Sequence, residues 1–205
     1  MKRVQPVTLT GHLVQLEPLR PEHHDALVGA AQDGELWRLW YTTVPEPSGM
    51  AAEIERRLQL QELGQMVAFT IRRLKDGQVT GMTSYMNIDQ SLPRVEIGST
   101  WLAASTHGSG LNAEAKLLLL THAFEELGCP AVELRTHWLN TQSRAAIERL
   151  GAKLDGVLRS HTRAKDGTLR DTCVYSITQS EWPAVRSGLN YRLCKHTKEA
   201  HTGAS

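Results

Sequence analysis

The sequence predicts a single α/β (α+β) domain: a mixed, mostly antiparallel central sheet flanked by helices. Two observations call for antiparallel pairs. Asp76-Gly77 and Asp166-Gly167 each separate two strand-like runs, and Asp-Gly in that setting is a hairpin signal. A third calls for one parallel pair. From Arg94 to Trp138 a strand-like run, a glycine turn, a long apolar-faced segment and a second strand-like run follow in order, which is a crossover unit. A sheet holding both kinds of pair needs helices on its faces.

The elements follow in order. Leu13 to Glu17 alternates as a strand, ended by Pro18, and Pro21 opens a helix through about Ala31. Trp37, Trp40 and Tyr41 form an aromatic stretch, Pro45 to Gly49 is a loop, and Ala51 to Leu63 is a second helix closed by Gly64. Val67 to Arg73 and Val79 to Ile88 make the first hairpin, and Val95 to Leu102 a further strand. In the long helix, Ala113, Leu117, Leu120, Phe124 and Leu127 recur at spacings of four and three, and Gly128 and Pro130 end it. Val132 to Trp138 is a strand, and Asn140 caps a short helix, Thr141 to Leu150, closed by Gly151. Leu154 to Arg163 pairs with Thr168 to Thr178, and Glu181 to Leu193 is a terminal helix. The order is β-α-α-β-β-β-α-β-α-β-β plus the last helix. The domain is expected over residues 7–193, with 195–205 a polar, flexible tail.

The bulk numbers exclude several classes. The chain has 205 residues, is 40% hydrophobic and carries a formal net charge of +1, which suits one domain with a real core. The basic residues form no block, so no nucleic-acid partner is expected. No apolar run is long enough for a membrane span, and Met1 to Leu16 lacks a signal-peptide core, so a cytoplasmic protein is expected. Cys129, Cys173 and Cys194 lie far apart without a Cys-x-x-Cys pair, and the adjacent His23-His24 cannot face one another on a helix, so no disulfide framework and no metal site are expected.

The most informative segment is Gly108-Ser109-Gly110-Leu111-Asn112-Ala113, between a strand and a helix. The first N–H groups of a helix have no partner within it and attract anions, so a pyrophosphate suits this turn. Taken alone the segment can equally be a tight turn with Asn112 as a helix cap. A P-loop would need a Lys directly after Gly110, and a dinucleotide fingerprint a third glycine where Ala113 stands.

The element order from about Val7 to Trp182 resembles the GNAT superfamily of acyl-CoA-dependent N-acyltransferases. Ser105-Thr106-His107-Gly108-Ser109-Gly110 matches that family's Gln/Arg-x-x-Gly-x-Gly/Ala turn except at Ser105. Val95-Glu96-Ile97-Gly98, Asn112 to Lys116, the run Asn140 to Ala152, Gly156 to Arg159 and Glu181-Trp182-Pro183 resemble its ribosomal-protein N-terminal (alanine) acetyltransferase branch.

The resemblance implies acetyl transfer from acetyl-CoA to a primary amine, either a protein N-terminus or a small molecule, without a metal. It allows a homodimer. The backbone at Trp101 and Leu102 would lie along the pantetheine arm. His107, Gly108, Ser109, Gly110, Leu111 and Asn112 would hold the phosphates, with Asn140, Ser143 and Arg144 at the next helix. The splayed strands Ile97 to Leu102 and Val132 to Trp138 would open a cleft for the acyl group. The tyrosine that protonates the leaving thiolate in many members is replaced here by Ile147, leaving Ser143 as a hydrogen-bond donor or simply a CoA contact. Glu96 is a candidate base if its strand position is buried, and His137 a second one. Trp37, Trp40 and Tyr41 would cap the acceptor pocket, Trp37 with a rival place in the core, while Glu53 and Glu55 read as solvated helix charge ahead of a role in attracting a cationic amine. Two other classes stay open: a CoA-binding sensor or partner module without turnover, and a nucleotide-binding oxidoreductase.

Overall fold

The structure, a computed structural model, describes residues 3–89, 91–164 and 166–202, with 196–202 described by their backbone alone. Among these residues eight strands form one sheet: β1 (Leu9–Thr10), β2 (Val14–Pro18), β3 (Met66–Arg73), β4 (Val79–Asp89), β5 (Arg94–Leu102), β6 (Ala131–His137), β7 (Lys153–Arg163) and β8 (Leu169–Thr178). The helices are α1 (His24–Gln32), α2 (Met50–Glu62), α3 (Leu111–Thr121), α4 (Thr141–Leu150) and α5 (Trp182–Thr202). The sheet order is β1-β2-β3-β4-β5-β6-β8-β7. Every neighbouring pair is antiparallel except β5 and β6, the parallel pair that the crossover demands.

Strand alternation sends side chains to two separate cores. Val14, Leu16, Phe69, Tyr85, Ile97 and Leu134 face α3, α4 and α5, where they meet Leu119, Ile147 and Trp182. Met66, Ala68, Met82 and Trp101 face the other way and pack with Leu27 of α1 and Ile54 of α2.

Three elements depart from the sequence expectation for stated reasons. The helix after the glycine turn begins at Leu111 rather than Ala113, because Gly110, at φ 85°, is its N-cap. Asn112 is therefore inside the first turn and is not the cap. The same helix becomes a π-helical turn over His122–Glu126, where the Leu127 N–H reaches back to the His122 carbonyl. That widened turn stacks Phe124 on Trp182, with ring centroids 5.1 Å apart. The terminal helix runs as Trp182–Thr202, past the expected Leu193. The pair Leu9–Thr10 adds an edge strand too short for alternation to reveal.

One long-range contact fixes α3 on the sheet. The Glu114 carboxylate, 4% exposed, accepts from the backbone N–H groups of His12 (2.9 Å), Leu13 (2.6 Å) and Val14 (2.8 Å). Gly11 makes room for it, since a Cβ there would lie 2.6 Å from Glu114 Cδ. Hydrogen bonds to a charged acceptor contribute about 1.5–3 kcal/mol each, and buried N–H groups left without an acceptor are costly. Glu114→Ala is therefore expected to lower the unfolding free energy by about 3–5 kcal/mol, read from urea denaturation. A loss below about 1 kcal/mol would show that solvent replaces the carboxylate.

Candidate active site

The site is built around β5. Its parallel pairing with β6 covers Val95↔Val132 and Glu96↔Glu133 and goes no further, so Ile97 to Leu102 diverge from β6. Backbone N–H groups of a strand point alternately to either side, so part of this stretch presents unpaired donors to the gap. On its other edge β5 pairs with β4 through two register shifts, one where Asn87 and Ile88 oppose Val95 and one where Ser99 and Thr100 together oppose Thr83. Such a two-against-one arrangement is a bulge. Ser99 sits there at φ 47°, a left-handed conformation that a non-glycine residue adopts only when its surroundings impose it.

A buried guanidinium helps to impose it. Arg57 of α2, 2% exposed, donates to the Ser99 carbonyl at 3.2 Å, to Ser84 Oγ at 3.0 Å and to Glu53 Oε1 at 2.7 Å. Glu53 also takes two bonds from Arg56. Burial alone would raise the Glu53 pKa, yet the two arginines hold it below the usual carboxylate range. Glu53 is thus half of a structural ion pair and not solvated helix charge. Val44, Pro45, Glu46, Ala52, Glu53 and Ser99 line part of a cavity of about 590 Å³ on this side of the bulge.

The glycine turn stands at the C-terminal end of β5. Gly108 and Gly110 take φ of 77° and 85°, and a Cβ at Gly108 would meet nothing within 4 Å. No side chain caps the N-terminus of α3, and the first bond of its ladder runs from the Glu114 N–H to the Gly110 carbonyl. Asn112 Oδ1 is buried without a partner among the described residues. The uncapped N–H groups and the open space at Gly108 suit an anion, which accepts from them, whereas Asn112 Oδ1 calls for a donor. His107 Nε2 lies 3.2 Å from the Leu102 carbonyl, and Ser109 Oγ donates to the Thr106 carbonyl. Ser105 is turned away, tied by its N–H and hydroxyl to the Asp33 carboxylate at the end of α1. The side chains of Trp101 and Leu102 lie in opposite cores, leaving only their backbone for the gap.

Glu96 is 6% exposed, so its strand position is a buried one. Asn87 Nδ2 donates to its Oε2 at 2.7 Å, and Arg135 Nε lies 3.4 Å from the same oxygen. Oε1 lies over Gly98, where a Cβ would come within 2.9 Å of it, which explains the glycine two residues on. Burial raises the Glu96 pKa; Arg135 and the Asn87 bond oppose the rise without cancelling it.

His137 lies four residues along β6 from Glu133, the partner of Glu96, roughly 13 Å at strand rise. The two candidate bases are not brought together. The Leu139 N–H donates to His137 Nδ1 at 3.0 Å, which leaves the proton of the neutral ring on Nε2. Burial lowers its pKa, the Arg170 charge adds to the effect and Asp171 opposes it. With Nδ1 taken by the Leu139 N–H, the neutral ring presents Nε2–H outward. The exposed Trp40 meets it edge-on at 5.5 Å and Tyr41 at 5.6 Å, while Trp37 packs against the core of α1 and α2.

On α4, Asn140 Oδ1 accepts from the Ser143 N–H at 2.9 Å, the cap expected from the sequence. Arg144 lies over the Trp138 ring at 4.2 Å and bonds the Tyr175 hydroxyl at 3.1 Å. Ile147 is buried in the core. Sequence reasoning missed Arg57 and the Ser99 bulge, since neither departs from ordinary helix or strand composition. No group of three or more His, Cys, Asp or Glu suited to a metal is found among the described residues, and no helix there is long and apolar enough to cross a membrane.

The chain is thus an α/β domain in which an uncapped helix N-terminus stands beside a split in a mixed sheet. A family model described as an acetyltransferase (GNAT) domain matches residues 14–153, and the chain belongs to that family. It is 37% identical over 109 residues to YdaF of Bacillus subtilis (strain 168), provisionally named a ribosomal N-acetyltransferase. That match covers 53% of this chain and 58% of YdaF, so it spans little more than half the length of that relative. Among solved structures, a GCN5-related N-acetyltransferase from Brucella melitensis is 29% identical with a TM-score of 0.81, covering 94% of this chain and 87% of that one. RimJ of Mycobacterium smegmatis, solved in complex with CoA-disulfide, has a TM-score of 0.77 at 24% identity, over 91% and 95% of the two chains, a likeness of fold.

Removing the guanidinium would free the Ser99 carbonyl and Ser84 Oγ and leave Glu53 paired with Arg56 alone. Breaking a buried pair costs about 3–5 kcal/mol, so Arg57→Ala is expected to lose about 3 kcal/mol of unfolding free energy in urea denaturation. A variant within about 0.5 kcal/mol of the parent would mean that Ser99 holds its conformation unaided.

Proposed function

We propose that the chain transfers an acetyl group from acetyl-CoA to a primary amine, directly, within a ternary complex. The observation that carries this reading is the coincidence of three features on β5: its divergence from β6 after Glu96, the buried Glu96 at the split, and the open glycine turn at its end. Membership of the GNAT family and the CoA-disulfide complex of RimJ support it.

In this reading the backbone from Gly108 to Asn112 takes the pyrophosphate on unpaired N–H groups, with His107 beside it. The backbone at Trp101 and Leu102 lies along the pantetheine arm and supplies a donor to the thioester oxygen. Asn140, Ser143 and Arg144 border the cofactor from α4. Glu96 removes the proton of the attacking amine through Oε1, directly or by way of water. His137 Nε2–H, with Trp40 and Tyr41, orients the acceptor. Ser143 donates a hydrogen bond to the leaving sulfur, since a hydroxyl is too weak an acid to release a proton unaided. The acceptor is a protein N-terminus or a small-molecule amine; the likeness to YdaF favours the former. Release of free thiol from acetyl-CoA with a panel of peptides and amines tests the proposal. Tight CoA binding with no acceptor giving thiol would leave a CoA-binding module instead.

Two variants test its parts. Gly108→Asp places charge and bulk in the cradle and is expected to weaken CoA binding at least about tenfold by calorimetry; an unchanged Kd would put the phosphates elsewhere. Glu96 must be ionised to act, and burial raises its pKa, so kcat/KM is expected to rise with pH through a step above the usual carboxylate range. Glu96→Gln is expected to lose that step and about 100-fold in kcat. A variant with the parent pH profile would exclude Glu96 as the base.

A further inference from the structure

On the α3 side of β5 a lysine is buried without a carboxylate partner. Lys116 is 5% exposed, and its Nζ donates to Thr100 Oγ1 at 2.5 Å and to Thr83 Oγ1 at 3.2 Å. The two hydroxyls also touch, at 2.8 Å. Burial alone lowers the ammonium pKa to about 7. An isolated buried cation costs several kcal/mol and persists where something specific repays it. Among the described residues its hydrogen-bond partners are two hydroxyl oxygens.

Hydrogen-bond bookkeeping shows which group faces outward. Lys116 can only donate. Thr83 Oγ1 accepts from it, and Thr83 can pass its own proton to Thr100 Oγ1. Thr100 Oγ1 then accepts twice, and its own proton has the Gly98 carbonyl at 3.4 Å, a long and weak bond. Thr83 is fully buried and Lys116 nearly so, whereas Thr100 is partly exposed, on the stretch of β5 that has left β6. The triad therefore ends in an under-used O–H on the strand that the proposed function assigns to the pantetheine arm. At the same time Ile147 leaves α4 without a phenol to protonate the leaving sulfur.

We propose that Lys116, Thr83 and Thr100 form a proton relay that protonates the leaving thiol of the acyl donor. This rests on the assignment of β5 as the thioester strand. As the new N–C bond forms, the C–S bond breaks and its electron pair goes to sulfur. Sulfur takes the Thr100 hydroxyl proton, and a Lys116 Nζ proton moves to Thr100 Oγ1, leaving a neutral amine. The proton that Glu96 takes from the acceptor passes to solvent, and one from solvent restores the ammonium before the next turnover. Thr100 would touch the substrate; Lys116 is a positioning residue that acts through it, and Thr83 holds the two in line.

The test uses the full chain with acetyl-CoA and an amine that gives turnover. Thr100→Val is expected to lower kcat at least about tenfold, while Thr100→Ser, which restores the hydroxyl, stays within about threefold of the parent. Lys116→Met is expected to match Thr100→Val in kcat, and the double variant to lose no more than either single one. CoA affinity by calorimetry is expected to stay within about twofold in all of them, a split that a packing defect would not produce. Should Lys116→Met fail to fold, the Thr100 pair decides alone. Parent-like kcat in Thr100→Val overturns the relay, as does an equal loss of kcat and CoA affinity. Failure of the parent chain to bind CoA removes the CoA reading and the relay with it, a result that calorimetry separates from a purely kinetic failure.

Discussion

The Glu114 carboxylate is the contact on which the working parts depend. It sits in the first turn of α3, one of its oxygens accepting from the Leu13 and Val14 N–H groups at the start of β2 and the other from the His12 N–H. Those N–H groups belong to residues about a hundred positions away, so one side chain ties together distant parts of the chain. Its effect is geometric. Fixing α3 against β2 sets where the helix N-terminus stands relative to β5, and with it the place of the glycine turn. Lys116 lies two residues further along the same helix, so its reach to Thr100 inherits the same constraint.

β5 organises charge by address. Toward α2, the bulge carbonyl of Ser99 receives a buried guanidinium whose charge is balanced by Glu53. At the split from β6, Glu96 keeps one oxygen paired and the other over a glycine. Toward α3, an ammonium meets only hydroxyls. Three charged side chains approach one strand from three directions without pairing with each other. Each keeps a separate electrostatic environment, because the apolar cores between them offer little polar atom density through which they could be bridged.

Much of this was legible in the sequence because it is local. The two Asp-Gly turns, the Asn140 cap and the glycine stops at Gly128 and Gly151 are decided by a few neighbouring residues, and the expected strands and helices came out within a few residues of their places except at the end of the terminal helix. The glycine turn was legible as a tight turn feeding a helix, although that helix starts at Leu111 because Gly110 caps it. What stayed hidden depends on distant partners. Arg57 looks like any helix-surface arginine until Ser84 and Ser99 arrive from two strands. A positive φ at a serine has no composition signal. The π-helical turn follows from the fit of Phe124 to Trp182, which helical periodicity does not encode. The tautomer of the neutral His137 ring is set by a backbone N–H two residues on.

The tie between Ser105 and Asp33 has a mechanical consequence. The residue that the family resemblance would have written as a long polar side chain reaching toward the phosphates is here a short pin between the cradle and the end of α1. The Ala104 N–H adds a backbone bond to the Asp33 carbonyl at the same joint. Helix α1 packs against α2, whose residues line the cavity beside Ser99. The turn at one end of β5 and the wall beside its bulge are therefore joined by a second path, through α1 and α2, besides the strand itself.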